Sequence, residues 1–417
     1  MLIKAPKGTR DILPSEIYKW QTVEREFMKV CASFGYEEIR IPVFEHTELF
    51  KRGVGDSTDI VQKEMYTFED KAGRSLTLRP EGTAGVVRAY IENGMASLPS
   101  PVKLAYNITC YRYENVQKGR YREFHQFGVE AFGAAGPEID VEIISLLNLF
   151  FKKLGLDGIL LRINSLGCPV CRKAYTDALK AFLKPNLEKM CQLCKERYEL
   201  NPLRVIDCKL PVCKEIVKDA PALIDYICDE CRVHFEGLKS GLDNLGIKFS
   251  VDKGIVRGLD YYTKTVFEFF SQNVGTQGTV CGGGRYDGLV EMCGGPKTPG
   301  IGFALGVERL LMESDSVGAK IQDNREINLS IVTIGKQADD FCAKVVYELR
   351  EEGFNVQKDV MNRSVKAQMK AADKLGARYT MVVGDEETAS GVAKLRKMQD
   401  GTEYEVVLAT ANIAEII

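Results

Sequence analysis

Residues 328–417 alternate between strand and helix patterns, and this alternation is the strongest constraint on what the chain can fold into. Strand patterns occupy residues 329–334 (LSIVTI), 354–358 (FNVQK) and 379–384 (YTMVVG). Helical patterns lie between them, at residues 337–352 and 364–375. A βαβαβ order of this kind predicts a parallel sheet covered by helices. A polar segment near residues 314–328 is the predicted linker before this domain.

The segment before the linker predicts a separate α+β domain, residues 1–325. An amphipathic helix is expected near residues 15–34, and a strand at 35–45 (GYEEIRIPVFE). Pro42 inside that strand cannot donate a ladder hydrogen bond, so the strand should lie at a sheet edge or an interface. Further strand patterns follow at residues 102–107, 124–132, 247–252 and 263–270. Residues 76–85 and 299–313 each predict a strand that leads into a helix.

Cysteines mark a helical insertion at about residues 168–235. The chain has 13 cysteines, and eight of them lie between Cys168 and Cys231. Three C-x-x-C pairs fit tetrahedral zinc, and eight thiols would supply two sites. We favour free, partly buried thiols and keep structural zinc as the alternative. The pairs are Cys168 with Cys171, Cys191 with Cys194, and Cys228 with Cys231.

Charge and hydropathy exclude several classes of protein. No apolar run is long enough to span a membrane, and the N-terminal sequence lacks the apolar core of a signal peptide. We therefore expect a cytoplasmic protein, in which the thiols stay reduced. The formal net charge of −2 argues against a generic polyanion binder, so any nucleic acid must meet locally placed cations.

The segment CYRYENVQKGRYREFHQFGVE, residues 110–130, combines cations with a carboxylate on an apolar strand. Arginine forks match phosphate or carboxylate oxygens in pairs, which makes the first half a candidate phosphate site, with a solvated hairpin as the alternative. Gln126 and Glu130 alternate with apolar residues and share one strand face. A buried Glu130 needs a partner, either a structural arginine or a nitrogen of a ligand.

Three further stretches have the same character. In RPEGT, Glu81 and Thr83 stand at a helix start, where they could hold an ammonium group or cap the helix. VRGLDYYTKT places Arg257 close to paired tyrosines. In PGIGFALGVER, glycines would let a planar group approach the backbone, although the same pattern serves tight packing.

Taken together, these stretches resemble the signature motifs of class II aminoacyl-tRNA synthetases, and most closely those of the histidyl-tRNA synthetase family. Motif one resembles residues 35–45, motif two YRYE (111–114) with the loop to residue 122, and motif three GIGFALGVERL. The two histidine-specific motifs of the family match RGLDYY (257–262) and GGGRYDGL (282–289). The resemblance covers essentially the whole chain. It implies an antiparallel-sheet catalytic core with a helical insertion, followed by an anticodon-binding domain.

The resemblance also implies a reaction and its residues. Histidine would be activated by ATP, with Mg²⁺, to histidyl-adenylate and pyrophosphate, and then transferred to tRNA(His) by a homodimer. Arg112 and Arg257 would be catalytic, at the α-phosphate. ATP would also meet Arg120, Arg309 and Gly302, and no protein ligand is assigned to the metal. The residues implied for histidine are Glu81, Thr83 and Gln126 around its amino and carboxylate groups, and Glu130, Tyr261, Tyr262 and Tyr286 around its imidazole.

The tRNA contacts rest on a pattern of basic residues. Lys118 and Arg122 would face ATP or the acceptor end. In the C-terminal domain, Arg363, Lys366, Lys370, Lys374 and Arg378 are spaced by three, four, four and four, which on a helix makes one basic stripe. A solvated helix face is the alternative reading of such a stripe.

Three rival functions fit the sequence less well. A non-catalytic paralogue that binds histidine would lack the C-terminal domain and the motif arginines. A synthetase for another amino acid is disfavoured by RGLDYY and Glu130. A plain RNA-binding module would have no use for the ordered catalytic motifs.

Overall fold

The computed structural model describes residues 3–55, 58–206, 208, 210–255, 259–273, 278–319, 321, 323 and 325–417. The chain forms two compact units, Met1–Ile321 and Gln322–Ile417. Within the described residues, no helix is both long and apolar enough to cross a membrane.

The first unit contains both helices and strands. Its helices are α1 (Ile17–Ser33), α2 (Thr47–Val54), α3 (Thr83–Glu92), α4 (Glu138–Lys153), α5 (Pro169–Leu183), α6 (Gln192–Leu200), α7 (Leu203–Ile206), α8 (Pro211–Val217), α9 (Asp229–Asn244), α10 (Leu289–Met292) and α11 (Val307–Ser316). Its strands are β1 (Glu37–Glu38), β2 (Phe44–His46), β3 (Thr67–Glu69), β4 (Ser75–Leu78), β5 (Val102–Tyr111), β6 (Glu123–Phe132), β7 (Leu160–Ser165), β8 (Phe249–Val251), β9 (Thr263–Phe270), β10 (Thr279–Arg285) and β11 (Gly300–Gly306).

Among the described residues, eight of these strands form one sheet in the order β1-β5-β6-β11-β10-β9-β7-β8. The pairs at its two edges, β1 with β5 and β7 with β8, are parallel, and the pairs between them are antiparallel. Strands β2, β4 and β3 make a separate small antiparallel sheet. The predicted antiparallel core is therefore confirmed.

Apolar side chains of α1 and α4 cover one face of the large sheet. Phe27 of α1 stacks on Phe127 of β6 with ring centroids 4.7 Å apart, and Phe150 of α4 meets both rings edge-on. Each such buried ring contributes about 1.5–3 kcal/mol to folding. This packing leaves the opposite face of the central strands to carry the polar residues described below.

The predicted strand at residues 35–45 is interrupted. Only β1 and β2 are regular, and the chain between them gives the carbonyl oxygens of Ile41 and Pro42 to the guanidinium of Arg79, at 2.6 and 3.1 Å. A side chain thus replaces the ladder partner that a strand would have supplied. The expected edge position is nevertheless observed, because β1 is the outermost strand next to β5.

The second unit contains the predicted alternation and two further strands. Its elements are β12 (Ile327–Thr333), α12 (Lys336–Glu351), β13 (Val356–Lys358), α13 (Val365–Lys374), β14 (Ala377–Val383), α14 (Asp385–Ser390), β15 (Val392–Lys397), β16 (Glu403–Val407) and α15 (Thr410–Ala414). Strands β13, β12 and β14 are parallel, whereas β15 and β16 extend the sheet in antiparallel fashion. The parallel sheet predicted for the βαβαβ elements is therefore confirmed, and the two antiparallel strands that follow them were not predicted.

Candidate active site

The polar face of β6 is set by strand alternation. Phe127 and Val129 are buried in the core beneath α1 and α4, which turns Gln126, Gly128 and Glu130 toward the other side of the sheet. Opposite them, Gln126 pairs with Gly306 of β11, and Glu130 pairs with Gly302. Small residues on the neighbouring strand therefore leave room above the polar positions.

Glu130 has no exposed surface and lies among hydroxyl groups. Its Oε1 accepts hydrogen bonds from the Thr83 hydroxyl at 2.7 Å and the Tyr106 hydroxyl at 3.1 Å, and its Oε2 accepts one from Tyr286. Burial raises the pKa of Glu130 to about 8, and the three hydroxyl donors only partly offset this. Of the two partners expected from the sequence, a structural arginine is not among those that the structure describes.

Glycines make this arrangement sterically feasible. A Cβ on Gly302 would lie 1.9 Å from Glu130 Oε2, and one on Gly128 would lie 2.2 Å from the Tyr106 ring. The structure thus places Gly302 against the buried carboxylate, where the sequence had suggested an approach for ATP. Any side chain at either position would displace Glu130 or Tyr106.

Glu81 caps the helix that follows it. Its two carboxylate oxygens accept the backbone N–H groups of Thr83 at 3.0 Å and Ala84 at 2.7 Å, at the start of α3. Burial raises the pKa of Glu81 above its ordinary value, and the capping bonds oppose that rise. Helix capping, the alternative to ammonium binding for this residue, is therefore present, and it fixes the carboxylate at the edge of a cavity.

Three arginines form the other side of the site, and two of them share an acidic partner. Glu114 pairs with Arg120 at 3.2 Å and lies 3.8 Å from Arg112, whose Nε donates to the Pro80 carbonyl at 2.7 Å. Arg309, on α11, donates to the carbonyls of Thr279 at 2.7 Å and Gly119 at 3.2 Å. Burial and then the charge of Arg120 lower the pKa of Arg309. Like charges held together in this way favour an anion between them.

These groups line an open cavity of roughly 1480 Å³ in the first unit. Predicted residues on its wall are Glu81, Thr83, Arg112, Arg120, Gln126, Tyr261, Tyr262 and Arg309. Glu130, Tyr286, Gly302, Lys118 and Arg122 are not part of that wall as the structure describes it. Arg257 lies outside the described residues. The cavity therefore brings most of the predicted amino-acid and phosphate residues together, with Glu130 and Tyr286 buried behind them.

The contacts of Arg122 hold parts of the first unit together. Its guanidinium carbon lies 3.7 Å from the centroid of the Tyr113 ring, and its Nε points at the Glu114 carbonyl at 3.4 Å. Its backbone N–H donates to the Gly8 carbonyl at 2.8 Å. These contacts tie the loop after β5 to the N-terminal segment, and they leave Lys118 as the exposed cation of the loop.

Buried polar contacts hold the tyrosines in place. Arg285, fully buried, pairs with Asp140 of α4 at 2.8 Å, and Asp140 also meets His234 of α9 at 2.8 Å. This network fixes the end of β10, from which Tyr286 follows directly. Tyr286 in turn meets Tyr261 edge-on, with ring centroids 5.7 Å apart.

Sequence reasoning missed two parts of the site. Tyr106, which bonds Glu130, pairs with Gly128 across β5 and β6, so the strand register was the signal that could have found it. The insertion also lines the cavity, through Arg197 and Arg204 among others. Helical cysteine-rich sequence gives no indication of which side chains reach a distant site.

The basic stripe of the second unit is shorter than predicted. Lys366, Lys370 and Lys374 lie on α13 with helical spacing and are exposed. Arg363 precedes the helix and pairs with Asp359, and Arg378 lies on β14. Three of the five residues therefore form the stripe, because the helix begins after Arg363 and ends at Lys374.

Comparison with known proteins gives concordant results along the whole chain. A family model described as histidyl-tRNA synthetase matches residues 8–310, and one described as an anticodon binding domain matches residues 311–415. A histidine–tRNA ligase of Acetivibrio thermocellus is 66% identical over 410 residues, covering 98% of each chain. One from Caldanaerobacter subterraneus subsp. tengcongensis is 55% identical over 408 residues, again covering 98% of each. The crystal structure of apo histidyl-tRNA synthetase from S. aureus superposes with a TM-score of 0.85 at 40% identity, covering 99% of both chains.

Proposed function

The chain belongs to the histidyl-tRNA synthetase family and is a histidine–tRNA ligase, and we propose that the cavity of its first unit performs both steps of the reaction. The observation that supports this most is the meeting of three arginines with the Glu81, Thr83 and Gln126 side chains on one wall. Cations suit the phosphates of ATP, and the other groups suit an amino acid.

In the first step, a carboxylate oxygen of histidine attacks the α-phosphorus of ATP, and the bond from that phosphorus to the pyrophosphate oxygen breaks. Arg112 is proposed to hold the α-phosphate and the attacking carboxylate, because it lines the same cavity as Glu81 and its guanidinium carbon lies 5.2 Å from the Phe124 ring centroid. Arg309 and Arg120 would hold the outer phosphates. Positioning and charge stabilisation of this kind account for most of the catalysis of phosphoryl and adenylyl transfer.

Mg²⁺ is proposed to arrive with ATP, bound mainly by phosphate oxygens and water, and to neutralise charge on the pyrophosphate. The donor set fits this role, since the carboxylates of Glu268 and Glu308 lie on the same wall as the arginines. Glu308 accepts the backbone N–H of His125 at 3.0 Å, and Glu268 accepts the Thr279 hydroxyl at 3.1 Å. We propose Arg257 as a further phosphate ligand from its motif alone.

The imidazole of histidine is proposed to be read by Glu130 and Tyr262. Once a ring N–H meets it, Glu130 would be ionised, and an ionised carboxylate offers about four acceptor positions. Three at Glu130 are taken by hydroxyl groups, which leaves one on Oε2 for a ring N–H. Because Glu130 has no exposed surface, histidine reaches it only when side chains between it and the cavity move. Thr83 would serve both the ammonium group and the orientation of Glu130.

In the second step, a hydroxyl of the terminal adenosine of tRNA attacks the histidyl carbonyl carbon, and AMP leaves. Binding of tRNA is assigned to the anticodon-binding domain, with the exposed stripe of Lys366, Lys370 and Lys374 as its phosphate contact. Lys118 of the first unit is proposed for the acceptor end. We also propose a cytoplasmic location, where thiols such as those of the insertion stay reduced.

Charge reversal in the second unit tests the proposed tRNA contact separately from the activation of histidine. Wild-type protein is expected to exchange pyrophosphate into ATP only when histidine is present, and to charge tRNA. Lys366→Glu with Lys370→Glu should leave exchange unchanged and raise the KM for tRNA about tenfold or more, because removing each lysine–phosphate interaction weakens binding. The control is Lys336→Glu, an exposed lysine on α12. Exchange without histidine would refute the activity, and unchanged charging by the double variant would refute the stripe.

We also propose a homodimer, through the face that carries motif one. Strand β1 lies at the edge of the large sheet. Phe44, which follows β1 along the chain, is 52% exposed, and its ring contacts that of Phe68, which is 43% exposed. Exposed paired rings at an edge are typical of an interface. Sedimentation is expected to give twice the monomer mass, Phe44→Glu with Phe68→Glu to give the monomer, and the control Leu245→Glu to remain dimeric. A wild-type monomer at micromolar concentration would contradict the proposal.

A further inference from the structure

The eight cysteines of the insertion are not scattered but gathered into two groups of four. The first cysteine cluster is Cys168, Cys171, Cys228 and Cys231, and the second is Cys191, Cys194, Cys208 and Cys213. In each cluster the four sulfur atoms all lie within 4.8 Å of one another. Residues 60 positions apart in the sequence, Cys168 and Cys228, have their sulfurs 4.0 Å apart.

These separations fit a tetrahedral ion. Four sulfurs each 2.3 Å from a central Zn²⁺ are about 3.8 Å from one another. The sulfurs of Cys168 and Cys171 are 3.5 Å apart, and those of Cys191 and Cys208 are 4.0 Å apart. A disulfide requires about 2.05 Å, so the groups are not arranged as two pairs of disulfides.

The backbone around the clusters is built to receive thiolates. Three helices of the insertion begin directly after a cluster cysteine: Cys168 precedes α5, Cys191 precedes α6 and Cys228 precedes α9. A thiolate at the N-terminus of a helix is stabilised by the helix dipole. Backbone N–H groups also donate to sulfur, from Cys228 to Cys171 at 3.0 Å and from Cys191 to Cys213 at 3.4 Å. Donors to ligand atoms of this kind are the usual second layer of a metal site.

The second cluster is part of the apolar core of the insertion. Every residue of α6 and α8 is described, and the buried residue of each helix is a cysteine, Cys194 in α6 and Cys213 in α8. Two short helices that each bury one thiol gain stability from a cross-link between them. A bound ion would supply that cross-link, and folding of such a segment then depends on the metal.

We propose that the insertion binds two structural Zn²⁺ ions, one in each cysteine cluster. Each ion takes four thiolates, whose protons go to solvent, and it stays Zn²⁺ throughout. Four sulfur ligands around each ion leave no open position, which is the mark of a structural rather than a catalytic site. The geometry thus points to the alternative that the cysteine spacing alone had not favoured.

The location of the clusters explains what the ions would hold. The first cluster joins the points where the insertion leaves β7 and returns through α9. Helices beside the second cluster reach the loop of the histidine-specific motif, because Asn201 donates to the Asp260 carboxylate at 2.9 Å and Arg204 lies 3.6 Å from it. Arg172, next to Cys171, donates to the carbonyl oxygens of Asp260 and Tyr262. The ions would therefore keep the insertion against the cavity wall.

The proposal is tested by the metal content of the untagged full-length protein, and it does not depend on the roles assigned to the active-site residues. About two zinc ions per chain are expected. Cys194→Ser with Cys213→Ser should leave about one, as should Cys168→Ser with Cys231→Ser. The matched control is Cys342→Ala, a buried cysteine of α12 outside both clusters, which should keep two. Iron in place of zinc, or no more than one zinc per chain in the wild type, would overturn it.

Since a chain that loses a cluster can fail to fold, a second measurement uses the wild type alone. Titration of thiols with a mercurial reagent, in the presence of a zinc-sensitive dye, should release two zinc ions as the eight clustered cysteines react. Release that is absent, or complete before those thiols react, would contradict coordination by the two clusters. Retention of two zinc ions by either double serine variant would do the same.

Discussion

Arg112→Ala is expected to lower histidine-dependent pyrophosphate exchange by about 10²–10³-fold, the effect of removing one donor that stabilises transition-state charge. Arg112 is part of the cavity wall, its Nε is fixed by the Pro80 carbonyl, and its guanidinium carbon lies 5.2 Å from the Phe124 ring centroid. A guanidinium held in this way is already oriented toward the cavity, so its removal should mainly lower kcat. Arg112→Lys keeps the charge but not the paired geometry, and should recover only a small part of the rate.

The control for Arg112 is Arg25→Ala, an exposed arginine of α1 in the same unit. It should leave exchange within about twofold of the wild type. Thermal unfolding of all three variants distinguishes the removal of one side-chain interaction from a failure to fold. An Arg112→Ala protein that unfolds at the wild-type temperature and exchanges at the wild-type rate would refute the role of this arginine.

Glu130→Gln is expected to raise the KM for histidine by about 10- to 100-fold, the value of a hydrogen bond to a charged acceptor. The amide keeps the volume of the carboxylate, so the close approach of Gly302 is preserved. The amide cannot carry the negative charge that Glu130 would present to an imidazole N–H, and its NH₂ group replaces one of the two oxygens that accept from the Thr83, Tyr106 and Tyr286 hydroxyls. The KM for ATP should stay unchanged, which separates this variant from Arg112→Ala.

The same substitution should alter the pH dependence of stability. Since burial raises the pKa of Glu130 from 4.5 to about 8, the folded protein binds a proton there between these values that the unfolded chain does not. The contribution of Glu130 to the free energy of unfolding is therefore fully present below about pH 4.5, and it is lost as the pH rises toward 8. Glu130→Gln cannot ionise, so its unfolding temperature relative to the wild type should rise across that range. A difference that is constant with pH would show that Glu130 titrates normally.

Much of this architecture followed from local patterns. Strand alternation was sufficient to place Gln126 and Glu130 on one face, because Phe127 and Val129 had to enter the core. The glycine-started strand that leads into α11 was equally clear. The predictions that failed concern features that depend on partners distant in sequence. Arg79 donates hydrogen bonds to the carbonyls of Ile41 and Pro42, and this interrupts the strand predicted at residues 35–45.

The site was predicted more completely as a set of residues than as a geometry. The motifs named Glu130 and Tyr286 as histidine ligands, but they could not indicate that both are buried behind the cavity. Nor could spacing alone decide between zinc and free thiols, because Cys168 and Cys228 meet only through the packing of α5 and α9. Interactions between segments that are distant in sequence determine the burial of Glu130 and Tyr286 and the clustering of the cysteines. A single sequence does not show such interactions directly.

The most direct test of how this enzyme selects its amino acid is a crystal structure of the protein with histidine bound. We predict one imidazole nitrogen at about 3 Å from Glu130 Oε2, the other at the Tyr262 hydroxyl, and the histidine carboxylate facing Arg112. An imidazole placed elsewhere in the cavity, with Glu130 still bonded only to Thr83, Tyr106 and Tyr286, would contradict the assignment of Glu130 as the group that recognises histidine.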